Sequence, residues 1–130
     1  MNTSSDVQNS RLSATPLSMR ALVAAGALLA ALAVALSAYA AHLADAHSQS
    51  RLQTAAMYAF GHGIALAALA PLARRLLTRI ALLALLVGVA VFSGGLALAY
   101  FFNTSTGLLP YGGSLLILAW LVYAIDALRR

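Results

Sequence analysis

The chain has no cysteine, no lysine and no glutamate. The first absence excludes a disulfide framework, a thiolate metal site and a thiol nucleophile. The other two leave the formal charge of +5 to eight arginines set against Asp6, Asp45 and Asp126. Charged residues make up 8% of the sequence and hydrophobic ones 62%. A soluble domain carries about 25% and about 45–50%, so the composition points to lipid as the solvent. There are no paired carboxylates, no phosphate-cradling glycine loop and no Ser-His-Asp arrangement that spacing could support. On those grounds no enzyme and no cofactor are expected. The arginines stand singly or in small groups, without a basic stripe, so nucleic acid is not an expected partner. Anionic lipid headgroups are.

What is present is four long apolar stretches, at about residues 21–41, 54–73, 80–102 and 113–128. A crossing needs roughly 17–25 residues. The first three runs meet that, and the fourth does if it begins within Leu108–Gly112. The runs lack strand alternation, and backbone amides in lipid must be satisfied internally, so helices follow. The expected fold is an all-α, polytopic four-helix transmembrane bundle over residues 20–130, preceded by a flexible polar tail over 1–19. The polar segment His42–Gln53 reads as a linker.

Arginine fixes the threading. The polar pieces between the runs alternate so that seven arginines fall on one side and only Arg51 on the other. By the positive-inside rule both termini are cytoplasmic in a bacterial inner membrane. A competing reading takes Ala38-Tyr39-Ala40 as a signal-peptide cleavage site. The preceding apolar run is long for that role, and a retained helix fits better. Cleavage would leave the same orientation.

Helices associate in lipid through small residues that let backbones approach. Gly26 with Ala30, Gly88, Gly94 with Gly95, and Gly112-Gly113-Ser114 supply them. Packing is the expected use of these glycines, rather than a pore, because few polar groups are present to line one.

Polar residues at depth are costly and invite functional reading. His62 lies about 12 Å inside the second run, at 1.5 Å per residue from its outer end. Tyr58 precedes it by one helical turn on the same face. Ser93 lies about 13 Å from the outer end of the third run. The matched depths predict a Tyr58–His62–Ser93 hydrogen-bond network. A neutral, bonded imidazole fits His62 better than a proton relay, and a relay better than a metal or haem ligand. His42 and His47 flank Asp45 with no third strong ligand, so no metal site is expected. Asp126, near the inner end of the fourth run, is placed to pair with Arg129 or Arg130. Tyr100, Tyr111 and Tyr123 suit interfacial anchoring, and Trp120 falls nearer mid-helix. Asn103-Thr104-Ser105 fits a glycosylation acceptor, relevant only in a glycosylating pathway.

Four segments in order carry a resemblance. They are Leu36-Ser37-Ala38-Tyr39-Ala40-Ala41-His42, Tyr58 with His62, Phe92-Ser93-Gly94-Gly95-Leu96, and Pro110-x-Gly112-Gly113 with Trp120. Together they resemble the small inner-membrane family catalogued as domain of unknown function 423, over about Arg20 to Leu128. The resemblance implies a four-helix inner-membrane protein and no established reaction. The chain departs from the family pattern at Ser37, Ala40, Met57, Ala59, Gly95 and Ala119. If the polar groups replaced there serve a shared activity, part of it is lost here.

Threading and resemblance together gather His42, Tyr58, His62, Ser93, Gly94, Gly95, Pro110, Gly112 and Gly113 in the outer half of the bundle. With Trp120 they form a candidate packing or ligand cluster. The expected function is a non-enzymatic accessory or assembly partner of a membrane complex, bound to other subunits or to itself. The alternatives are a small oligomeric transporter or channel, and a lipid- or quinone-binding module.

Overall fold

The computed structural model of the protein describes residues 3–6 and 16–129. Four helices run up and down: α1 (Leu17–His42), α2 (Ala46–Leu69), α3 (Leu76–Phe102) and α4 (Leu109–Leu128). A 3₁₀ turn, Ala70–Leu72, extends α2. All four are long and apolar enough to cross a membrane. Among the described residues there is no strand. The helices alternate in direction, so the start of α1 and the end of α4 lie at one end of the bundle, called here the terminal end. The α1–α2 and α3–α4 connections lie at the other, the turn end.

The helix boundaries have local causes. The carboxylate of Asp45 accepts the backbone N–H groups of His47 at 3.1 Å and Ser48 at 3.0 Å. It is an N-cap, satisfying donors that an uncapped first turn leaves free. Helix α2 therefore begins at Ala46, and most of the segment read as a linker is helical. Pro71 carries no N–H, and the chain tightens into the 3₁₀ turn around it. Asn103 ends α3 in the left-handed conformation, φ 54°, which asparagine tolerates better than most residues. Pro110 sits in the first turn of α4, where its missing N–H leaves nothing unpaired. The fourth helix therefore starts at Leu109 and reaches 20 residues.

Most of the expected N-terminal tail lies outside the described residues; 3–6 form a helical turn. Its last part does not behave as a tail. The Pro16 carbonyl accepts from the amides of Met19 and Arg20, and Met19 is buried in the core.

Each helix packs on its sequence neighbour, and α1 also meets α3. Two glycine crossings draw the hairpins together. A Cβ on Gly26 would lie 2.5 Å from the Gly63 carbonyl oxygen, and one on Gly63 would lie 2.6 Å from that of Gly26. In the second hairpin a Cβ on Gly112 would lie 2.8 Å from the backbone nitrogen of Phe92 and 3.1 Å from the Gly88 oxygen. No side chain fits at Gly26 or Gly63, so the backbones themselves are in contact. The apolar core, including Met19, Leu22, Leu66, Leu82, Leu85 and Leu116, joins all four helices. Met19, Leu22, Leu66 and Leu82 place it toward the terminal end.

Candidate functional site

Three of the sequence-derived candidates meet at one place. His62 Nδ1 lies 2.8 Å from the Tyr58 carbonyl oxygen, one turn back in α2. Trp120 Nε1 of α4 lies 3.2 Å from His62 Nε2. A carbonyl only accepts and an indole N–H only donates. Imidazole Nδ1 must therefore carry the hydrogen, and Nε2 must be the acceptor. His62 is held as the neutral Nδ1–H tautomer, linking α2 to α4. The rings continue the connection: Tyr58 stacks on His62 at 5.8 Å and 14°, and Phe92 of α3 tilts against Tyr58 at 4.8 Å. Trp120 also meets Tyr123 edge-on at 6.0 Å. Tyr58 and Trp120 are each 37% exposed, so this ring cluster reaches the lipid-facing surface.

The Tyr58–His62–Ser93 network does not form. Both ring nitrogens of His62 are taken by Tyr58 and Trp120, and buried Ser93 Oγ has no hydrogen-bond partner among the described residues. The reason is rotational. Consecutive helical residues point about 100° apart at 3.6 residues per turn, so with Phe92 facing Tyr58, Ser93 turns away. Equal depth was right for neighbouring turns and silent about facing.

The other candidates divide. Gly112 forms the α3–α4 crossing, and Gly113 lies against the Phe92 ring. Gly95 gives room to the Leu109 side chain, while Gly94 faces open space. The Pro110 carbonyl accepts from Ser114 Oγ at 2.8 Å. His42 is exposed at the end of α1, away from His62. Asp45 is committed to capping. The Ser48 amide first, with its hydroxyl and the His47 amide, holds the Asp45 carboxyl below the usual carboxylate range. Among the described residues no three His, Cys, Asp or Glu side chains gather as a metal would require.

Further polar contacts appear at both ends, with Asp126 the member that the sequence singles out. Asp126 is buried, and its partners include Thr78 of α3 and Arg75, the residue that caps the start of α3. Arg75 donates to the carboxylate at 3.3 Å and, with its other nitrogen, to the Arg129 carbonyl at 3.3 Å. The expected pairing partner Arg130 lies outside the described residues, and Arg129 meets this group through its backbone carbonyl, which accepts from Arg75. Toward the turn end, Ser37 Oγ donates to Gln53 Oε1 at 2.9 Å, and Gln53 Nε2 returns a bond to the Ser37 carbonyl at 3.2 Å. Tyr39 and Tyr100 bring their hydroxyls to 3.4 Å. These two pairs tie α1 to α2 and to α3.

Comparison with known proteins gave no match among curated proteins or solved structures. A family model, described as protein of unknown function (DUF423), matches residues 36–121. The match starts inside α1 at Leu36 and ends in α4 at Leu121, a narrower span than Arg20 to Leu128. It contains the His62–Trp120 link, the Ser37–Gln53 pair and the Gly88–Gly112 crossing. The protein is thus a four-helix membrane protein that belongs to the DUF423 family, a family of unknown function.

Proposed function

We propose that the protein is a non-enzymatic accessory or assembly partner of a larger complex in the bacterial inner membrane, with both termini in the cytoplasm. The observation that supports this reading is the engagement of His62, Gln53 and Asp126 in bonds within the bundle. His62 is bonded at both nitrogens, Gln53 is paired with Ser37, and Asp126 with Thr78 and Arg75. Polar groups bonded across helices fix how the helices pack. A transport path needs groups that exchange partners with a solute, and a reaction needs groups free to meet a substrate. A bundle with His62, Gln53 and Asp126 tied internally, Ser93 Oγ being the exception, is suited to presenting a rigid apolar surface to other membrane proteins.

The test is extraction of native membranes in mild detergent, with native-gel migration and identification of co-purifying proteins. Migration above the mass of the single chain, with defined partners or with further copies, is the expected result. A strictly monomeric species that retains no partner would count against the proposal.

A further inference from the structure

A cavity of about 530 Å³ opens at the turn end of the bundle, between α2, α3 and the start of α4. Its polar lining is Ser48, Arg51, Tyr100, Asn103 and Thr106. Each of these side chains can donate a hydrogen bond, and no carboxylate lines the cavity. The Arg51 guanidinium has no hydrogen-bond or ion-pair partner among the described residues. Asp45, the acid nearest in sequence, is engaged by the first amides of α2. At the terminal end, by contrast, Arg75 and Arg79 are bonded to Asp126 and to the carbonyls of Arg129 and Ala73.

The cavity also has a defined depth. Helix α2 turns apolar just after Gln53, and α3 ends at Phe102. Arg51 and Asn103 therefore sit where hydrocarbon gives way to headgroups. Leu96 and Leu109 continue the lining toward the bilayer. A planar guanidinium among hydroxyl and amide donors is matched to phosphate oxygens. The apolar wall below it is matched to acyl chains.

We propose that this cavity binds the phosphodiester of an anionic phospholipid, with Arg51 as its charged ligand and the acyl chains lying along Leu96 and Leu109. This site is independent of the accessory role.

The full-length protein, in nanodiscs of mixed phosphatidylglycerol and phosphatidylcholine, is released into native mass spectrometry, and the ratio of the two lipids retained is measured. Wild type is expected to favour phosphatidylglycerol. Arg51→Gln is expected to lower that preference about tenfold, the order expected for losing hydrogen bonds to a charged group. Asn103→Gly keeps the left-handed backbone at φ 54° while removing the amide, and is expected to lower the preference by less. Arg20→Gln, at the opposite end of the bundle, is expected to match wild type. An unchanged preference in Arg51→Gln would overturn the proposal. So would an equal loss in Arg20→Gln, which would mean diffuse charge attraction. Displacement of the lipid by millimolar inorganic phosphate would also overturn it, by assigning the site to a soluble anion.

Discussion

At the residue scale, the informative side chain is His62. An imidazole inside a membrane helix invites a reading as relay or ligand, but here the two hydrogen bonds assign each nitrogen a role. The Tyr58 carbonyl takes the hydrogen of Nδ1, and the Trp120 indole fills the lone pair of Nε2. A nitrogen-15 spectrum of the labelled protein should show the Nδ1–H tautomer; an Nε2–H signal would contradict this arrangement. Trp120→Phe keeps most of the ring and removes the donor. In a double-mutant cycle with His62→Leu the coupling should be about 0.6 kcal/mol, the typical size for side-chain bonds between membrane helices. Reversible unfolding in detergent measures it, and a coupling of zero would mean that the bond contributes nothing to stability.

At the element scale, the glycines separate into those that are needed and those that are not. Gly26 and Gly63 face each other's backbone, and an added methyl would have to push whole helices apart. Gly26→Ala and Gly63→Ala are each expected to destabilise by about 1–3 kcal/mol, the usual range for overpacking. Gly61 and Gly94 have nothing within 4 Å of an added Cβ. In helix interiors, alanine there should stabilise by roughly 0.5–1 kcal/mol relative to glycine. Thermal denaturation of the four variants gives the comparison; equal effects at all four positions would sink the assignment of the crossing. Much of this level was readable in advance. Apolar runs located all four helices, and small residues pointed to close packing. The starts of α2 and α4 were misplaced for identifiable reasons. The polar residues after Ala46 looked like loop, yet a helix that projects beyond the hydrocarbon is free to be polar, and Asp45 was its cap. The apolar run of α4 is counted from Gly113, yet Pro110 fits a first turn and Gly112 a backbone crossing, so the helix begins at Leu109.

At the scale of the whole molecule, what stayed hidden was rotation. Helices that are apolar on every side carry no amphipathic stripe to say which face turns inward. Depth can be counted along each run, but the bond of Thr78 to Asp126 and the isolation of Ser93 depend on facing. The threading is open to a direct test, helped by the absence of native cysteine. Single cysteines at Thr3 and Thr106 should label from opposite sides of intact cells with a membrane-impermeant reagent. Thr106 should react from outside and Thr3 only after lysis. The reverse pattern would invert the proposed orientation.

The two glycine crossings have a consequence for how the molecule is built. Gly26 with Gly63 closes α1 on α2, and Gly88 with Gly112 closes α3 on α4. The 3₁₀ turn and the short stretch after it connect the two hairpins. Each hairpin therefore carries its own closing contact and needs nothing from the other to form it. The arrangement is that of two paired units docked on each other, with the His62–Trp120 bond joining the earlier unit to the later.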